Sequence, residues 1–190
     1  MRSFIAIDFP EQIKIRIAET QTQLKKAETD VKWVSPHQLH LTLWFFKDLS
    51  LEKTLSISER IKKEAQNSET FEITLKGIGC FPHSGSPRVL WVGIQNSLNL
   101  SALQIKIQEV ASLYDQDPVK SGQNDYFPHV TIGRVRSEKN IKQLKNLIKL
   151  LSDEPFGACP VRELIFFESR LNQKEPNYFE LQRFPLKPKI

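Results

Sequence analysis

The chain has 190 residues, of which 39% are apolar and 26% charged. That profile excludes a disordered chain, and the length suffices for one domain, or two small lobes sharing a cleft, without a disulfide or metal to hold it. Lys and Arg number 27 against 22 Asp and Glu, and the resulting net charge of +5 leans toward a polyanionic partner through steering and phosphate contacts.

Two cysteines, Cys80 and Cys159, form neither a disulfide scaffold nor a CxxC pair, and their spacing to histidine matches no zinc signature. A reducing, cytoplasmic compartment is expected. The apolar run from Phe4 to Phe9 is too short to span a bilayer and carries Asp8, so no membrane partner is expected. Residues 1–8 lack the basic segment, apolar stretch and cleavage site of a signal peptide and predict a strand.

In chain order, Pro10 and Glu11 suit the start of a helix, with Ile13, Ile17 and Leu24 as its apolar stripe through Ala27. Trp33 and Val34 predict a short strand, and residues 39–46 a clear one. Residues 51–65 predict a second helix with Leu51, Leu55 and Ile61 facing inward. Phe71, Ile73 and Leu75 alternate with polar neighbours as a half-buried strand. Gly77, Gly79, Pro82, Gly85 and Pro87 then mark a loop before a strand at 89–94. The order repeats. Residues 98–113 predict a helix with Leu103, Ile107 and Val110 on one side. A polar stretch at 115–125 precedes a strand at 130–135. Residues 141–151 place Ile141, Leu144, Leu147, Ile148 and Leu151 at helical spacing, and 161–167 and 178–184 read as closing strands.

No glycine-rich phosphate loop follows any strand, which argues against Rossmann and P-loop folds. The expected class is α+β, with a small sheet backed by helices in each half and the free sheet faces lining a shared cleft.

The sharpest local feature is His40-Leu41-Thr42-Leu43, echoed 89 positions later by His129-Val130-Thr131-Ile132. Side chains alternate across a strand, so His40, Thr42 and Trp44 should share one face, opposite Leu39, Leu41, Leu43 and Phe45. By the same rule His129, Thr131 and Gly133 project together. Two imidazoles and two hydroxyls converging on one anionic group would suit phosphoryl transfer. One imidazole deprotonates the attacking oxygen, the other protonates the leaving oxygen, and the hydroxyls hold non-bridging oxygens.

Other arrangements compete. Either histidine alone would be unremarkable as a partly buried structural residue. A two-histidine metal site lacks a third ligand unless folding brings Asp8 or Asp125 close, so no metal and no cofactor are expected. Cys80 and Cys159 stand without a nucleophile motif and read as structural. His37 and His83 sit in turn-like contexts and read as noncatalytic. Trp44 is a candidate for stacking on a base or ribose and Arg134 for meeting a phosphate, with Lys47 and Arg88 as weaker candidates.

At these residues the chain resembles the 2H phosphoesterase superfamily, and within it the bacterial and archaeal RNA 2′,3′-cyclic phosphodiesterases, also called 2′-5′ RNA ligases. The resemblance rests on residues 39–46 and 127–134. It extends to the opening Arg2-Ser3-Phe4-Ile5-Ala6-Ile7, to Gly77-Ile78-Gly79-Cys80-Phe81-Pro82, to residues 87–93, and to 167–171 and 178–186. Two departures stand out: Gly133 where the family usually has alanine, and Lys47 where a glycine often follows the first motif.

The resemblance implies a bilobal fold over residues 1–190, a single domain of two interleaved, pseudo-symmetric antiparallel-sheet lobes with outer helices around a central cleft. It implies metal-independent hydrolysis of a terminal 2′,3′-cyclic phosphate to a 2′-phosphate. His40 would be the general acid, His129 the general base, and Thr42 and Thr131 phosphate contacts. The implied partners are RNA ends, tRNA fragments among them, and size points to a monomer. The alternatives are a phosphodiesterase for small cyclic nucleotides or ADP-ribose cyclic phosphate, a 2′-5′ RNA ligase, and a noncatalytic nucleotide- or RNA-binding module.

Overall fold

The computed structural model describes residues 1–95, 97–114, 126–171 and 176–189. The polar stretch at 115–125, with Asp125, lies outside the described residues.

Strand β1 (Ser3–Asp8) leads into helix α1 (Glu11–Lys25), followed by β2 (Val31–Trp33), a short 3-10 turn at Pro36–Gln38, and β3 (His40–Phe46). Helix α2 (Leu51–Gln66) precedes the hairpin of β4 (Phe71–Phe81) and β5 (Val89–Ile94). Helix α3 (Leu98–Ser112), β6 (His129–Val135), α4 (Ile141–Leu150), β7 (Pro155–Val161), β8 (Glu163–Leu171) and β9 (Pro176–Pro185) complete the chain.

The strands form two antiparallel sheets, one in the order β3-β1-β8-β9 and the other β2-β6-β5-β4-β7. Helices α2 and α3 pack on the first sheet, through β9 and β3, and α1 and α4 on the second, through β7 and β4. Each lobe is therefore one sheet with two helices, but the lobes are not the two halves of the chain. The first sheet joins the N-terminal strands to the C-terminal ones, and the middle of the chain builds most of the second. β3 and β6 lie against each other where the lobes meet.

Local physics accounts for most elements. In α1 the buried positions Ile13, Ile17, Thr20, Gln21 and Leu24 follow helical spacing, with Glu11 in the first turn and Lys25 in the last, matching the helix dipole. Ser50 caps α2 by accepting from the Lys53 backbone N–H.

The buried stripe of α2 differs from expectation. It comprises Thr54, Ile57, Ser58, Ile61 and Ala65, whereas Leu51 and Leu55 are 74% and 66% exposed. Thr54 is tolerated inside because its hydroxyl donates to the Ser50 carbonyl. That leaves Leu55, about 100° further round the helix, toward water. Strand β4 runs through Gly77 and Gly79, so the expected loop shrinks to the hairpin tip. β7 escaped the periodicity because Pro155 and Pro160 interrupt it, yet it forms an edge strand, where proline is tolerated. Among the described residues no helix is long and apolar enough to cross a membrane.

Candidate active site

A cleft of ≈ 320 Å³ opens between the lobes, and His40, Thr42, His129, Thr131 and Arg134 all line it. β3 is the edge of one sheet, and β6 is flanked by β2 and β5 in the other, so the two His-x-Thr segments come from opposite lobes.

Both segments break strict alternation at the same place. In β1–β3, Ala6 pairs with Thr42 and Ile5 with Trp44, leaving Leu43 as the extra residue of a bulge. In β5–β6, Trp91 pairs with Thr131 and Leu90 with Gly133, leaving Ile132 as the extra residue. A bulge inserts one residue and reverses the side-chain phase beyond it. The residues that join His and Thr in the cleft are therefore Phe45 and Arg134, each five positions after its histidine.

This corrects two expectations. Trp44 does not line the cleft; it is 8% exposed and belongs to the hydrophobic core, and Phe45 takes the cleft position. Gly133 does not face the cleft either. A Cβ there would lie 2.8 Å from Val31 Cγ1 and 3.2 Å from the Trp33 ring, so glycine is what lets β2 close on β6. The run Trp44-Phe45-Phe46 hid the phase change, since all three residues are apolar.

Side chains from elsewhere pin the bulges. The buried Gln21 amide of α1 donates to the carbonyls of Ile132 and Val34, at 2.9 and 2.8 Å. The Tyr126 hydroxyl donates across the lobe boundary to the Thr42 carbonyl at 3.0 Å.

The histidines are held alike. His40 Nδ1 lies 2.7 Å from the Gln38 carbonyl, and His129 Nδ1 lies 2.8 Å from the Phe127 carbonyl. A carbonyl only accepts, so each Nδ1 carries hydrogen and each Nε2 is left for proton exchange. The Phe4 ring stacks on His40 at 4.7 Å, and Tyr178 meets it edge-on at 5.3 Å. Phe81 meets His129 edge-on at 5.1 Å.

Burial lowers the pKa of both imidazoles from the ordinary value. Their charged neighbours then act in opposite directions. Asp8, paired with His40 across β1–β3, favours imidazolium there, partly offset by Lys14, whose Nζ is 2.7 Å from Asp8 Oδ1. Arg134 favours the neutral form of His129. Arg2, Lys32 and Arg134 line the cleft, and no acidic residue does so among the described residues. Arg2 lies 5.3 Å over the Phe45 ring.

Among the lining residues that sequence reasoning missed, Phe4, Ser169 and Tyr178 come from strands distant in sequence, Gln38 ends the 3-10 turn just before β3, and the bulge turns Phe45 into the cleft. Arg2, Phe4, Phe45, Ser169 and Tyr178 all lay within the recognised segments but carried no role in the cleft. Lys47, Arg88, His37 and His83 do not line the cleft. His37 lines a separate cavity behind His40. Burial raises both thiols, that of Cys159 to about 11, which keeps them protonated near neutrality. Among the described residues no three His, Cys, Asp or Glu side chains converge as a metal-ligand set.

The family model of the 2′-5′ RNA ligase superfamily matches residues 9–173. The RNA 2′,3′-cyclic phosphodiesterase of Methanothermobacter thermautotrophicus is 34% identical over 98% of this chain and 99% of its own length. That of Methanocaldococcus jannaschii is 35% identical over 94% and 96%. Among solved structures, TT0787 of Thermus thermophilus superposes with a TM-score of 0.82 at 26% identity over the whole of both chains. E. coli LigT complexed with 3′-AMP superposes with a TM-score of 0.77 at 25% identity over 97% of each. A match across most of the chain, together with two bulged His-x-Thr strands facing one cleft, means that this chain belongs to the 2′-5′ RNA ligase superfamily.

Proposed function

We propose that this chain is an RNA 2′,3′-cyclic phosphodiesterase that opens terminal cyclic phosphates to 2′-phosphates, with residues 1–190 working as a single domain. The observation that carries the reading is the pair of imidazoles, each tied through Nδ1 to the carbonyl two residues before it, with a threonine two residues after, in one basic cleft.

His129 Nε2 takes a proton from water as the water oxygen bonds to phosphorus. The bond from phosphorus to the 3′ oxygen breaks, and His40 Nε2 donates the proton that this oxygen needs. Thr42, Thr131 and Arg134 hold the non-bridging oxygens, where negative charge builds up. The neighbouring charges support this polarity. An acid is helped by the anion Asp8, and a base is helped by the cation Arg134, which disfavours its premature protonation. RNA ends such as tRNA halves present this group, and the basic cleft suits their phosphates.

The test supplies oligonucleotides and mononucleotides ending in 2′,3′-cyclic phosphate and identifies the product phosphate. Oligonucleotides should be preferred, and the product should be the 2′-phosphate. His40→Ala and His129→Ala should each lose about 10²–10⁴-fold in rate, and Thr42→Ala and Thr131→Ala less. An activated 3′-side leaving group should rescue His40→Ala far more than His129→Ala. Formation of 3′-phosphate, or equal rescue, would refute the assignment.

A further inference from the structure

We propose that the aromatic cluster packed against the flank of His129 is a stacking subsite for a nucleobase. The base belongs to the nucleotide whose 5′-hydroxyl takes the place of water. The inference rests on the polarity proposed above, with His129 on the side of the entering oxygen.

Phe81, at the end of β4, and His83, in the hairpin tip, meet at 5.1 Å. Phe127, just before β6, lies 5.5 Å from Phe81 and 5.8 Å from His83. Trp91 backs all three at 5.4, 6.2 and 5.0 Å. Gly79 makes room for it, since a Cβ there would collide with the indole. None of Phe81, His83, Trp91 or Phe127 lines the cleft, and the cluster joins it through His129. Phe127 leaves 43% of its surface to water. His40 has a different aromatic setting, Phe4 and Tyr178, both inside the cleft.

In-line displacement puts the entering and leaving oxygens on opposite sides of phosphorus. The ribose of the cyclic phosphate then belongs to the side of His40, and the nucleophile arrives past His129. Water needs no aromatic surface there; a nucleoside does, because every base has a face that stacks on aromatic rings. Charge continues in the same direction. β5 pairs Val89 with the cleft residue Arg134, and Arg88 stands exposed at the foot of the hairpin.

The step balances without a further reactant. The 5′ oxygen bonds to phosphorus and passes its proton to His129. The bond from phosphorus to the 3′ oxygen breaks, and that oxygen takes a proton from His40. A 2′-5′ phosphodiester and a free 3′-hydroxyl result.

The experiment gives the full chain an RNA ending in 2′,3′-cyclic phosphate with an excess of a second oligonucleotide carrying a 5′-hydroxyl. Two acceptors are compared, identical except that one lacks the base of its first nucleotide. Joined and hydrolysed products are both measured. The wild type should join the intact acceptor at least about fivefold better than the abasic one, the lower end of what one base–aromatic stack contributes. Phe81→Leu combined with Phe127→Leu should shrink that preference to within about twofold, and so in part should His83→Ala, which touches neither histidine of the cleft. Hydrolysis without joining, equal use of the two acceptors, or an unchanged base preference in the variants would overturn the subsite while leaving the hydrolase reading intact. Absence of hydrolysis without an acceptor would overturn the hydrolase reading itself.

Discussion

Replacing Trp44 and Phe45 separately by alanine tests whether the bulge at Leu43 sets the cleft. Uninterrupted alternation puts Trp44 in the cleft and Phe45 in the core; the structure places them the other way round. Trp44 is 8% exposed, so its ring contributes nearly its full burial. Loss of a buried tryptophan costs about 3–5 kcal/mol, including the cavity left behind. In a chain this long each kcal/mol shifts Tm by about 2–4 °C, so Trp44→Ala should lower Tm by about 6–20 °C. Below that transition it should keep kcat/KM for a cyclic-phosphate oligonucleotide within about threefold, since the ring does not reach the cleft. Phe45 is half-buried, lies under Arg2 and lines the cleft. Phe45→Ala should cost less stability, about 1–2 kcal/mol for a ring that is only partly buried, but should raise KM severalfold. Thermal unfolding and steady-state hydrolysis on the same preparations give the comparison. A large KM effect from Trp44→Ala with a small change in Tm, and the reverse for Phe45→Ala, would show that β3 runs without the phase change.

Other perturbations address the charges and the contacts around the site. Arg134→Gln removes the cation that opposes protonation of His129, so the limb of the kcat/KM–pH profile belonging to the base should move to higher pH and the rate should fall; an unmoved limb would break that link. Asp8→Asn removes the anion that favours imidazolium at His40, so the limb belonging to the acid should move to lower pH. Both imidazoles titrate below their ordinary value, so the unfolded chain binds more protons than the folded one over that interval. Their contribution to stability is complete above about pH 6.5 and is lost as pH falls toward the lowered folded values, and urea titrations should show that decline shrinking in His40→Gln and His129→Gln. Tyr126→Phe deletes the hydroxyl that donates to the Thr42 carbonyl between the lobes; it should cost about 1 kcal/mol and lower kcat/KM severalfold, and wild-type kinetics would refute a role for that bond in setting the cleft. Exhaustive EDTA treatment should leave hydrolysis within about twofold of the untreated rate, because the two imidazoles are proposed to supply the proton transfers and the threonine hydroxyls and Arg134 to hold the phosphate oxygens; recovery with one added metal ion after complete loss would refute it.

Much of this protein was legible as a chain of residues. The repeated His-x-Thr pattern identified the four groups that meet in the cleft, because a strand's period of two needs only three residues to put imidazole and hydroxyl on one face. Helices α1, α3 and α4 followed their apolar spacing, and the family resemblance anticipated two antiparallel-sheet lobes flanked by helices. What remained hidden was decided between segments far apart in the chain. The interleaving depends on β8 and β9 returning to β1, which no local pattern records. The phase change after Thr42 and Thr131 depends on register against β1 and β5, and on Gln21 and Tyr126 reaching the displaced backbone from other elements. Residues after the threonine therefore could not be assigned to a face by counting, and Trp44, Phe45, Gly133 and Arg134 took their places only when the strands paired. The two similar imidazoles were likewise indistinguishable in sequence. Their opposite electrostatic settings arise because folding brings Asp8 alongside His40, from a strand more than thirty residues upstream, while the bulge turns Arg134 onto the face of His129.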